Sequence, residues 1–119
     1  MIRTMFSLNE SLVYYLYPRY IAMNKGIEAL YELIRSEIGA NPLNGDVYLF
    51  FCQKRDMVKI LRWDTDGFIL YQKRLEQGSF ELPRFKPDEG LYKLQWETFF
   101  MIIKGIPLRT TQSRKRFRI

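Results

Sequence analysis

From Lys54 to Pro83 short apolar runs alternate with charged punctuation at the spacing of three successive antiparallel strands. Residues 57–63 and 68–75 are rich in β-branched and aromatic side chains, and Asp64-Thr65-Asp66-Gly67 between them offers the carboxylates and the left-handed glycine of a tight hairpin. A second turn is predicted at Glu76-Gln77-Gly78. Residues 79–82 then form a short last strand stopped by Pro83, which cannot donate to a ladder. The middle of the chain reads as a β-meander.

The flanks complete the pattern. Residues 12–17 are a compact aromatic and β-branched run ending at Pro18, a further strand. Residues 18–22 connect it to a helix that Asn24 caps. Along that helix Ile27, Leu30, Tyr31, Ile34 and Ile38 recur at three-and-four spacing, and Gly39 closes it. Glu28, Glu32, Arg35 and Glu37 occupy the other face, with Glu32 and Arg35 spaced for a surface pair. After a loop over residues 40–45, residues 46–52 are apolar at both parities, which predicts a central strand covered on both faces. A Pro- and charge-rich loop over residues 84–90, a short strand over 91–94 and a helix over 96–104 follow. Phe99, Phe100 and Ile103 of that helix point inward, and Gly105 and Pro107 end it. The expected fold class is α+β: a mainly antiparallel sheet of about four to six strands, with a central meander, packed with two helices.

Composition sharpens this picture by exclusion. At 119 residues, 47% hydrophobic and 16% aromatic, the chain is expected to form one globular domain over residues 1–108, followed by a basic tail over 109–119. Its longest apolar runs, residues 12–17 and 47–52, are far short of the roughly 18 to 20 needed to cross a bilayer. Residues 7–11 interrupt any secretory h-region, so a cytoplasmic, non-membrane protein is expected. Cys52 is the single cysteine and reads as a packed core thiol. Histidine is absent, which removes Ser-His and Cys-His catalysis and His-ligated metals together.

The charge is unevenly placed. Of the net +6, five positive charges lie beyond Leu108 (Arg109, Arg114, Lys115, Arg116 and Arg118), with no acid among them, leaving +1 for residues 1–108. Such an arm suits phosphate contacts, against the plainer reading of a solvated terminus. Within the meander Lys59, Arg62, Lys73 and Arg74 form a second candidate nucleic-acid contact, near Trp63 and Tyr71. A three-residue loop would set Lys59 opposite Lys73, and a two-residue Asp66-Gly67 loop would set it opposite Arg74. Either juxtaposes like charges that an anion would relieve. Asp64 and Asp66 could hold Mg²⁺, but Asp-x-Asp-Gly is also what a hairpin turn requires, so no metal or cofactor is assigned.

The run Lys59-Ile60-Leu61-Arg62-Trp63-Asp64-Thr65-Asp66-Gly67, continued by Lys73-Arg74-Leu75-Glu76-Gln77-Gly78-Ser79-Phe80, resembles the signature of the TnpB-type accessory proteins of insertion-sequence family 66. Met23-Asn24-Lys25-Gly26 is similar to that family's Met-Arg-Lys-Gly box, and Lys104-Gly105-Ile106 to its Glu-Gly-Ile box. The resemblance covers about residues 12 to 119. It departs from the family pattern at Ala22, where an acid is usual, and at Asn24, where arginine is usual. It implies a non-catalytic accessory factor in the movement of an insertion element. The implied partners are the transposase of the same element and the element-end DNA. A protein–protein adaptor without DNA contact, and a Mg²⁺ enzyme using Asp64 and Asp66, are the competing readings.

Overall fold

A computed structural model of the chain describes residues 8–84 and 86–108; the side chains of Glu37, Ile38 and Pro87 fall outside the described set. Five strands, β1 (Tyr14–Leu16), β2 (Val47–Phe51), β3 (Met57–Asp64), β4 (Gly67–Arg74) and β5 (Tyr92–Leu94), form one sheet in the order β4-β3-β2-β1-β5. The pairs β2/β3, β3/β4 and β1/β5 are antiparallel, and β1/β2 is parallel. Helix α1 (Ile27–Glu32), which runs on through a π-helical turn at Leu33–Ile38, supplies the crossover between the parallel strands, and α2 (Trp96–Lys104) follows β5. This is the α+β class predicted.

Alternation along the strands assigns each helix a face. Tyr14, Leu16, Val47, Leu49, Phe51, Val58 and Ile60 pack with Phe99, Ile102 and Ile103 of α2. Tyr48, Phe50 and Leu61 pack with Leu30 of α1 and Ile34 of the π-helical turn on the other side. The sheet is therefore the middle of three layers. All five residues of β2 are buried, as its double-sided apolar pattern demands. Each such fully buried aliphatic or aromatic side chain contributes about 1.5 to 3 kcal/mol.

Several local expectations are corrected. Residues 79–82 add no strand: after β4 the Leu75 amide bonds the Asp56 carbonyl and the Phe80 amide bonds the Arg55 carbonyl. The chain thus folds over the end of the sheet, and the buried Phe80 ring meets Phe51 edge-on at 5.5 Å. Burying that ring outweighs one short edge pairing. The meander consists instead of β2, β3 and β4.

Gly26, not Asn24, is the N-cap of α1, extended and without a side-chain bond, while Gly39 closes the helical run at φ 80° as expected. In α2 the third inward residue is Ile102, and Phe100 is half-buried beside Trp96, with ring centroids 5.9 Å apart. Gly105 at φ 78° lets its amide bond Ile102 and the Ile106 amide bond Met101, the paired bonds of a Schellman stop. Cys52 lies just past β2, half-buried, with its thiol donating to Asp56 Oδ1 at 3.1 Å. Glu32 and Arg35 do pair, at 2.8 Å.

Candidate functional site

The β3/β4 hairpin settles how the four basic strand residues sit. Asp64 pairs with Gly67 across a Thr65-Asp66 loop, so Lys59 lies opposite Gln72 rather than Lys73 or Arg74. Both registers expected from the sequence are overturned, and with them the facing of like charges. The reason is aromatic. A three-residue loop would set Phe68 against Asp64 and an Asp66-Gly67 loop would set it against Thr65. The register found sets Phe68 against Trp63, with an edge-to-face contact at 5.0 Å, and Tyr31 of α1 also meets Phe68 edge-on at 5.5 Å. One consequence is that the left-handed conformation falls on Thr65, at φ 60°, and not on Gly67.

This register splits the four residues two and two. Lys59 and Arg74 belong to the α1 face, Arg62 and Lys73 to the α2 face. Lys59 is buried, 6% exposed, and its Nζ donates to the Lys25 carbonyl at 2.6 Å. Lys73 donates its Nζ to the Ile103 carbonyl at 2.6 Å, a cation placed where the last turn of α2 presents unpaired carbonyls. Arg62 is 15% exposed, lies 3.9 Å from Asp64 Oδ1, and keeps its Nε buried without a hydrogen-bond partner. Arg74 is exposed. Arg109, Arg114, Lys115, Arg116 and Arg118 lie outside the described residues.

The two lysine bonds connect the sequence boxes to one another. Lys59 of the Lys59-to-Gly67 run holds the Met23-to-Gly26 box just ahead of α1, and Lys73 holds the Ile103 carbonyl just ahead of Lys104-Gly105-Ile106. Segments distant in the chain are thereby pinned to opposite faces of one hairpin. Each lysine acts as a strut between sheet and helix.

Tyrosines dominate the polar interior. Tyr14 donates its hydroxyl to the Asn9 carbonyl at 2.7 Å; burial pushes its pKa well above the ordinary phenol value, opposed in part by the positive Arg62. Burial, reinforced by the charge of Asp46 and by Tyr15, pushes Tyr48 up to about 12. Among the described residues no three Cys, Asp or Glu side chains come together as a metal site. No helix among them is long and apolar enough to cross a membrane. The segments read as plain connections, residues 18–22 and 84–90, contribute to the wall of a cavity of about 540 Å³ that sequence reasoning missed, because its walls meet only in the folded chain.

Fold and side chains define a small three-layer α+β protein whose two signature lysines bond backbone carbonyls. The chain belongs to the family described as IS66 Orf2 like protein, whose model matches residues 12–113. Among curated proteins it is 30% identical over 86 residues to the uncharacterized protein y4jC of Sinorhizobium fredii (strain NBRC 101917 / NGR234), covering 72% of each chain. It is 26% identical over 94 residues to the uncharacterized protein y4hO of the same organism, covering 79% of this chain and 80% of that one. No solved structure matches it. The family is one of accessory proteins of insertion-sequence transposition, not a known catalytic family.

Proposed function

We propose that the protein serves transposition in the cytoplasm as a non-catalytic factor that binds the element-end DNA and works with the transposase of the same element. Residues 1–108 act as the accessory domain and residues 109–119 as a basic arm. The observation that carries this reading is the charge distribution within a chain of the IS66 Orf2 like family. Five positive charges lie beyond Leu108, where Arg109, Arg114, Lys115, Arg116 and Arg118 can neutralise phosphates. On the hairpin, exposed Arg74 extends the phosphate contact; Lys59 and Lys73 fix the hairpin against the chain ahead of α1 and the end of α2, and Arg62 lies beside Asp64.

A salt titration of duplex binding tests it. Five phosphate contacts give a slope of log affinity against log salt of at most about 4 to 5 units. Ending the chain at Leu108 should flatten that slope and leave the fold intact, because Leu108 itself is buried and its amide bonds Glu81 Oε1 at 3.2 Å. An unchanged slope moves the contact to the hairpin. No duplex binding by either form gives the protein to the adaptor reading. That second reading is favoured by one feature: β4, eight residues long, is an edge strand onto which a transposase strand can add.

A further inference from the structure

The groove between the end of β1 and the segment before the Pro87–Glu89 turn is built, not incidental. Beyond β1 the chain stays beside β2: the Tyr17 amide bonds the Leu49 carbonyl and the Ile21 amide bonds the Phe51 carbonyl, each at 2.9 Å. Four steps along one chain thus match two along the other, and Pro18, Arg19 and Tyr20 lie within the surplus. Such an insertion re-aims side chains at the rim of a sheet. Its effect is to leave Arg19 and Tyr20 exposed, Tyr20 at 48%. Across the groove stand Pro83 and exposed Arg84, and Leu16, Phe51 and Leu82 complete the apolar lining of the 540 Å³ cavity. It lies at the carboxyl ends of the parallel pair β1/β2.

We propose that this groove takes an unpaired nucleotide of single-stranded DNA, its base on the Tyr20 and Pro83 side chains and its phosphates on Arg19 and Arg84. Charge complementarity selects the occupant. Among the described residues the lining contains two guanidiniums and no carboxylate. Arg19 already lies over the Tyr17 ring, 5.3 Å from its centroid, and donates to the Tyr17 hydroxyl at 3.0 Å, so one guanidinium is held at the rim. Aromatic faces flanked by arginine bind single strands with little sequence preference. A duplex keeps its bases stacked inside and offers no π-face to an apolar groove, whereas a splayed base does. The volume lies within the range that encloses a nucleotide-sized ligand.

This inference rests on the reading that the protein acts on DNA, and the experiment separates the two. Binding of a fluorescent 12-mer oligothymidylate and of a 20-bp duplex is measured for the full chain, for Tyr20→Ala and for Arg19→Ala/Arg84→Ala, beside a thermal melt of each. Tyr20 is exposed, so Tyr20→Ala should melt like wild type, while the double variant, which loses the Arg19 contacts to Tyr17, should melt no more than a few degrees lower. Single-strand affinity should fall about tenfold or more in both variants, while duplex affinity stays within threefold. A bromodeoxyuridine-substituted oligonucleotide should cross-link to Tyr20 on irradiation. Groove-dependent single-strand binding without duplex binding would sustain the groove and end the duplex reading. Single-strand affinity unchanged in both variants, or falling in parallel with duplex affinity, overturns the groove. So does loss of transposase binding in Tyr20→Ala with oligonucleotide binding intact, which assigns the groove to a protein segment.

Discussion

Replacing Lys59 by methionine separates a strut from a contact. The side chain is 6% exposed and its ammonium donates at 2.6 Å to the Lys25 carbonyl, ahead of the first turn of α1. Methionine keeps most of the stem packing and removes the donor. A hydrogen bond from a charged group contributes about 1.5 to 3 kcal/mol net. Relief from holding a charge out of water offsets part of that loss, so the expected destabilisation is about 1 to 2 kcal/mol. For a chain of this size each kcal/mol lowers the melting temperature by about 3 to 6 °C, which predicts a fall of about 3 to 12 °C. Calorimetry gives the number. Hydrogen exchange should show the loosening first at residues 25–30, where the bond holds the entry to α1. A variant that melts within a degree of wild type yet loses DNA affinity would refute the reasoning and make Lys59 a contact residue. Lys73→Met should lose less, because the stem it exposes is already in water.

Other outcomes follow from the same geometry. Thr65 is β-branched at φ 60°, so Thr65→Gly should stabilise the protein by about 1 kcal/mol in denaturant melts; a loss of stability would mean that the turn is misassigned. Gly67 is outside the left-handed region and a Cβ there meets nothing within 4 Å, so Gly67→Ala should stay within about 0.5 kcal/mol in the same melts. The raised Tyr48 pKa has a definite sign: the unfolded chain loses that proton near pH 10 and the folded one near 12, so folding stability is complete below pH 10 and declines between 10 and 12. Tyr14 acts in the same direction. Tyr48→Phe should move the alkaline unfolding midpoint upward, and an unmoved midpoint would remove Tyr48 from its cause.

The elements were legible in the chain for local reasons. A strand apolar at both parities is buried on both faces wherever it sits, and residues 47–51 are. Gly39 and Gly105 stop helices because a left-handed residue is needed there and glycine adopts it without strain. The family signature was equally readable, since it consists of residues in fixed order. The candidate basic site was legible as residue types, but its arrangement was not: strand alternation follows a register that turned on Phe68 meeting Trp63 and Tyr31, the latter 37 residues earlier in the chain, on α1.

What the sequence by itself determined is therefore most of the elements, the strand over residues 79–82 excepted, together with the α+β class, the family and the unequal spread of charge, all properties of short segments or of counting. Only the tertiary structure decided that β1 and β2 run parallel, because strand direction depends on where the α1 crossover returns the chain. It also decided that Lys59 and Lys73 point to opposite faces and bond the carbonyls of residues 25 and 103, and that Pro18-Arg19-Tyr20 faces Pro83-Arg84 across a groove. These are meetings of segments 30 and 34 residues apart for the two lysine bonds and about 65 apart for the groove. No local periodicity encodes them, since each depends on how two separately formed faces find their register.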